Sequence, residues 1–373
     1  MSGLERFTVI DLTDGDYGLA CTEYLALAGM NVIRVDAPDS RIDESTYMTY
    51  NLSKKCVTLD LETPEGKVLF GRLLERADVL VENQPYGYME RIGFGYETVH
   101  AAHPSLIYAT MKRYPEDSPW RDVPSTCTTI SAMAGATYLV GYKGGIPLEP
   151  GPCLPDISTC VYTAAGITAA LINRETTGEG RQIKVNQQDA IIAHERSAFG
   201  RLNLKNQNIR VGNSSQGLDY AVPIDLYPTR GGGADDYVVI CCFGDEKYSD
   251  LMRVIGRPDL AEDPELIHYE NRWKRLDFIN KVISDWTKQF DKYELMELLL
   301  KKNRIFCSVV SGVEDLIRAE DFRANGFIQK IGEGDRGEIW MPTYPAIYSD
   351  LEIKARMPER GAAAEAEVFG AAE

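Results

Sequence analysis

Residues Phe7 to Leu12 (FTVIDL) are apolar at nearly every position, the pattern of a strand buried on both faces. Helical spacing follows over Ala20 to Ala28, and a second buried run at Asn31 to Asp36 (NVIRVD) completes one βαβ unit. The alternation continues. CVTLDL reads as a strand, a helix starts at Thr63 with Pro64 in its first turn, ADVLVEN is a strand, a helix lies near Tyr96, and SLIYATM is a further strand. Strands that alternate with helices pair in parallel and need crossover connections, so the fold class is α/β. Small and apolar residues then run almost unbroken from Ser158 to Asn173, which predicts a long helix buried on most sides and stopped at TTGEG. IKVNQQDA supplies another strand leading into a helix.

After about Leu204 the pattern changes to polar loops, the Gly231–Gly233 triplet read as a hairpin turn, the strand YVVICCF, and two charged helices within Leu276 to Asn303. This predicts a second domain. The tail after Arg356 is rich in Ala and Glu and is expected to be poorly ordered or to lie on the surface. The chain has no internal repeat.

Composition narrows the class. With 44% hydrophobic and 26% charged residues, and no apolar run near the ~18 residues of a membrane-spanning helix, the 373-residue chain reads as a globular cytoplasmic protein. Met1 to Ile10 lacks the pattern of a signal peptide. A formal charge of −16 repels nucleic acid, so any polyanionic ligand needs a local basic patch. Lys54-Lys55, Arg91 and Lys112-Arg113 all stand next to predicted strand ends, although each alone reads as a solvated surface charge. The eight cysteines show no CxxC or Cys/His spacing suited to a metal and read as reduced core thiols, and the four histidines read as structural. Gly15 and Gly18 lie in a strand-to-helix loop able to face a nucleotide phosphate, but GxGxxG is missing, which argues against a nicotinamide cofactor.

Asp156, in LPDISTC at the mouth of the long helix, has two readings. As an N-cap it would accept backbone N–H groups of the first turn. As a nucleophile it would be a carboxylate kept ionised by the helix dipole. Composition alone favours the cap.

At these residues the sequence resembles the class III CoA-transferase family. The matching stretches are AGMNVIRVDAPDS, NLSKKCVTLDLETPEGK, ADVLVEN with YMERIGFGYETV, HPSLIYATMKRY and ITAALINRETTGEGRQIKVNQQDA, with weaker continuation at RVGN, DDYVVI and ARMPE. The resemblance implies a Rossmann-like large domain with a parallel sheet (residues 1–203 and 325–373), a smaller α+β domain (204–324), and a homodimer of interlocked rings. It implies coenzyme A as part of an acyl-CoA substrate, a carboxylic acid as acceptor, and no metal. It places the nucleophile on Asp156 and contacts to CoA on Asp16, Tyr17, Lys54, Asn83, Arg91, Lys112 and Tyr114. Relatives often carry Gln at the position of Asp16, and PGYD at Pro124 to Cys127. The mobile Gly-rich loop of formyl-CoA transferase has no clear counterpart.

A carboxylate suits the exchange because an acyl anhydride holds transfer potential comparable with that of a thioester, whereas a serine ester would lie too low. Returning CoA thiolate then gives an aspartyl-CoA thioester, and backbone N–H groups near Asp156 could serve the oxyanion. Two rival functions remain. α-Methylacyl-CoA racemases share the fold and pair the Asp with a His, where this chain has Thr126 within Ser125-Thr126-Cys127. A CoA-binding protein without turnover is the other.

Overall fold

The computed structural model describes residues 3–142, 145–151, 153–208, 210, 221–334, 337–349 and 351–370. Within these, the chain forms two compact units: residues 1–136, 150–196 and 320–373 make up the first, and residues 137–149 and 197–319 the second. The second unit thus takes a short stretch, Thr137–Glu149, from inside the span read as the large domain.

The first unit is organised by strands β1 (Thr8–Leu12), β2 (Asn31–Asp36), β3 (Lys55–Thr58), β4 (Val79–Glu82), β5 (Ile107–Lys112) and β6 (Gln182–Asn186). The second unit contains β7 (Ala221–Pro228), β8 (Tyr237–Phe243) and β9 (Phe306–Val309). Beyond it come β10 (Ile328–Gly334), β11 (Gly337–Pro342) and the two-residue β12 (Glu359–Arg360), all in the first unit. The large sheet runs β12-β3-β2-β1-β4-β5-β6, and every neighbouring pair is parallel. Within it, 3-2-1-4-5-6 is the Rossmann order, whose direction of winding reverses between β1 and β4.

The unbroken apolar runs are explained by the two layers they feed. Val9, Val32, Val79, Val81, Ile107, Ala109 and Met111 face one core with Cys21 and Leu25 of helix Asp16–Leu27 and Ile167 of helix Leu154–Thr177. Their strand neighbours Ile10, Ile33, Leu80 and Tyr108 point the other way, onto Phe70 and Leu73 of helix Pro64–Leu74. That helix starts as its sequence predicts: the Thr63 hydroxyl accepts from the Gly66 N–H at 3.1 Å, with Pro64 next.

The tail lies on the surface, as one of the two sequence readings has it, but it is ordered there. After Arg356 the chain adds β12 to the edge of β3 and forms helix Ala362–Phe369. Ala364 and Val368, one turn apart, are buried, and Arg76 Nη2 donates to the Val368 carbonyl at 2.8 Å. An i, i+4 apolar pair suffices to dock a short helix that composition alone marks as polar.

The second unit is an antiparallel sheet, β7-β8-β9, packed with helices Gly244–Val254 and Leu276–Thr287 around Tyr227, Val238, Ile240, Tyr248 and Ile283. Gly231–Gly233 form the turn between β7 and β8, with Gly232 at φ 78°. Of the RVGN stretch, all but Arg210 lies outside the described residues.

Candidate active site

In open parallel sheets the crevice for a ligand lies beyond the carboxyl ends of the strands where the winding reverses, here the loops after β1 and β4. Two side chains join them. Asn83 accepts the Asp14 N–H at 2.7 Å and donates its amide to the Asp14 carbonyl. Gln84 adds a second bridge, from Nε2 to the Leu12 carbonyl at 3.0 Å. Close approach is required at Gly18, where a Cβ would lie 2.4 Å from Thr13 Cβ and 2.8 Å from Asn83 Nδ2. Gly15, at φ 70°, turns the chain into helix Asp16–Leu27. The side chain of Asp16 lies outside the described residues.

Tyr17 is buried beside this junction. Its hydroxyl is hydrogen-bonded to Asn83, and the Arg113 guanidinium stands 5.2 Å from its ring centre. Burial pushes the phenol up to about 12 against the opposing pull of Arg113 and Asn83, so it stays a neutral hydroxyl.

Asp156 is not the cap of its helix. Helix Leu154–Thr177 begins earlier than its apolar run suggests, its N-cap is Cys153 at φ 51°, and Asp156 sits inside the first turn behind Pro155. The capping reading is thereby overturned. The carboxylate is 9% exposed, in the region where a helix N-terminus favours negative charge. It accepts from Nε2 of Gln187, a fully buried residue that opens helix Gln187–Ile192 directly after β6. Gln187 Oε1 in turn accepts from Arg113 Nη1 at 3.2 Å. A continuous line of contacts therefore runs Asp156–Gln187–Arg113–Tyr17–Asn83. One turn along the long helix, Cys160 Sγ donates to the Tyr17 carbonyl at 2.7 Å and ties the start of helix Asp16–Leu27 to the long helix.

Two thiols complete the surroundings. Cys127 Sγ, Cys153 Sγ and a carboxylate oxygen of Asp156 all lie within 4.8 Å of one another. Burial, then the nearby Asp156 charge, pushes the Cys127 thiol up to about 12. The reading of all cysteines as core thiols is corrected here: Cys127, Cys153 and Cys241 are part-exposed, and the other five are buried. Thr126, at the position of the racemase His, caps helix Cys127–Met133 by exchanging hydrogen bonds with Thr129.

The remaining predicted residues divide. Lys112, at the end of β5, donates to Glu82 at 2.8 Å and to the Gln84 carbonyl, and the Tyr114 carbonyl accepts from Tyr86 OH at 2.8 Å. Both adjoin the β4 loop. A cavity of about 840 Å³ opens there, lined by Tyr86, Lys112, Arg121 and Lys184 among others, and also by Glu82 and Glu116. Arg91 is exposed, forks onto Glu62 at 2.7 and 2.8 Å, and lies over the Tyr88 ring. Lys54 departs from expectation. It is wholly buried, and its ammonium donates to Asp11, Leu19 O, Thr22 and Asn51 at 2.8–3.0 Å, so no N–H is left for a phosphate. Sequence reasoning missed Gln187, whose one signal is its place just beyond a strand's carboxyl end.

With this geometry in view, the class is settled: residues 4–363 match the model of CoA-transferase family III, and the chain belongs to that family. Formyl-CoA:oxalate CoA-transferase of Streptomyces avermitilis is 30% identical over 94% of this chain and 90% of its own. Succinyl-CoA:mesaconate CoA-transferase of Haloarcula hispanica is 32% identical over 85% and 82%. A CAIB/BAIF family protein from Brucella suis shares the fold with a TM-score of 0.86 at 24% identity, over 97% of this chain and 98% of that one. Rv3272 from Mycobacterium tuberculosis aligns with a TM-score of 0.80 at 25% identity, over 97% of each chain. No helix among the described residues is long and apolar enough to cross a membrane.

Proposed function

We propose that the protein passes CoA from an acyl-CoA to a carboxylic acid with Asp156 as the covalent carrier. The supporting observation is the placement of a buried carboxylate in the first turn of a long helix, held by Gln187 and connected through Arg113 and Tyr17 to the crevice loops. The carboxylate attacks the thioester carbonyl and expels CoA thiolate, giving an Asp156–acyl anhydride. The thiolate then attacks the aspartyl carbonyl, releasing the first acid and leaving an aspartyl-CoA thioester. The second acid displaces CoA thiolate, and attack on the new acyl carbonyl returns acyl-CoA and free Asp156. Tyr17, Asn83, Arg91, Lys112 and Tyr114 are the proposed CoA contacts. Lys54 acts beneath them, by holding the Leu19 carbonyl and Asp11.

The remaining family expectations belong to the same proposal: a large CoA-binding domain (1–203 and 325–373), a small domain (204–324), and an interlocked cytoplasmic homodimer. Racemisation is disfavoured because the Thr126 hydroxyl is committed to a helix cap and is a poor acid or base. Formyl-CoA and succinyl-CoA, offered with oxalate and mesaconate, are the first panel to test. Intact-protein mass spectrometry should show a CoA adduct, minus water, in the wild type and none in Asp156→Ala, with transfer falling by on the order of 10⁴-fold or more. Turnover retained in a folded Asp156→Ala protein would refute the carrier role. A dimer that does not dissociate on dilution is the expected result of light scattering.

A further inference from the structure

The chemistry proposed above uses neither thiol beside Asp156, yet the arrangement of these three groups has a chemistry of its own. Cys127 comes from the start of helix Cys127–Met133, Cys153 from the left-handed turn before the long helix, and Asp156 from that helix's first turn. Their ligand atoms all lie within 4.8 Å of one another. Tetrahedral zinc, with Zn–S near ~2.3 Å and Zn–O near ~2.1 Å, needs ligand atoms roughly 3.5–4 Å apart. The required contraction is on the order of 1 Å, within reach of side-chain rotation. Cys127 and Cys153 are part-exposed, which gives a cation a route in, while the carboxylate lies behind them. The hydrogen bond from Gln187 does not bar ligation, because an ionised carboxylate offers about four lone-pair positions.

We propose that Cys127, Cys153 and Asp156 form a binding site for a thiophilic divalent cation of the zinc type, and that its occupancy stops transfer by capturing the nucleophile. Two thiols and one carboxylate supply three ligands, and solvent takes the fourth position. Binding converts both thiols to thiolates and releases two protons to solvent, so a dication meets three negative ligands. The cation is an inhibitor, not a cofactor, since every contact it makes with Asp156 removes a lone pair needed for attack on the thioester. The inhibition rests on the carrier role proposed for Asp156, whereas the binding does not.

The test uses the full chain with Cys241, the other part-exposed thiol, replaced by Ser throughout. Cadmium should give an ultraviolet thiolate-to-metal absorption band that saturates at one ion per chain. Zinc should suppress transfer at least tenfold, reversibly with a chelator. In the Cys127→Ser/Cys153→Ser double variant, basal transfer and the melting temperature should be kept, while the band disappears and zinc sensitivity falls at least tenfold. A band and zinc inhibition that persist in the double variant, or no band in its parent, would overturn the proposal. A saturating band with undiminished transfer would uphold the cation site and strike the carrier assignment instead.

Discussion

Two buried carboxylates in the first unit show opposite uses of charge. Asp11 is wholly enclosed and accepts from the Thr13 N–H and hydroxyl, the Thr22 hydroxyl and Lys54 Nζ, with Arg34 at 3.6 Å. Burial alone would push it up, but Lys54, Arg34 and the two hydroxyls outweigh burial and hold its carboxyl below the usual range. The neighbours identified around Asp156 are neutral: the Gln187 amide and the thiols of Cys127 and Cys153. A carboxylate saturated by cations and donors is a structural tie. Under the carrier role proposed for Asp156, the carboxylate oriented by an amide is the one that attacks, and a buried cation alone does not mark a ligand site.

Four experiments test this contrast, from the largest effect to the smallest. Lys54→Ala leaves Asp11 enclosed with Arg34 as its remaining cation and leaves Leu19 O, Thr22 and Asn51 without the ammonium, so urea unfolding should show a loss of about 3–5 kcal/mol. A normal stability with a raised KM for acyl-CoA would instead return Lys54 to the ligand site. Glu23, against the same network, accepts from the Leu52 N–H, and burial pushes it up to about 7 despite Lys54. Its folded value exceeds its unfolded one, so the folded state holds the extra proton. Its contribution to stability is fully present below about pH 4.5, falls as pH rises, and is lost above pH 7, a change on the order of 3 kcal/mol. Glu23→Gln should flatten that slope, and an unchanged slope in pH-dependent unfolding would show that Glu23 does not carry it. Gln187→Leu removes the neutral donor from Asp156 and should lower kcat about tenfold, equivalent to about 1.4 kcal/mol, with little change in KM. An unaltered kcat would make Gln187 a bystander. Arg91→Ala, which breaks an exposed pair with Glu62 and an exposed contact with the Tyr88 ring, should leave the unfolding midpoint nearly in place and raise KM for acyl-CoA severalfold. An unchanged KM would remove Arg91 from the CoA contacts.

The sheet was legible because its strands must be apolar on both faces, and Val9 and Ile10 do enter opposite cores. The helix starting at Pro64 was legible from its cap. Lys54 was not, since two adjacent lysines look alike in sequence while the turn before β3 sends one inward: Lys54 is buried, and Lys55 reaches out to Glu367. The role of Asp156 was ambiguous because the start of its helix depends on a left-handed Cys153, a conformation that residue type does not announce. Contacts such as Gln187 with Asp156 join positions 31 residues apart and arise only when the long helix is laid against β6.

The pairing of β12 with β3 has a consequence for how the molecule is made. A parallel strand edge left open is a template for other chains. Here the strand that covers β3 comes from Glu359–Arg360, about three hundred residues further along the sequence, with helix Ala362–Phe369 docking behind it. During synthesis the first strands leave the ribosome long before their neighbour exists. The large unit must therefore wait with an uncovered edge until Glu359–Arg360 and helix Ala362–Phe369 have been made, and a chain lacking them would be exposed to aggregation through β3.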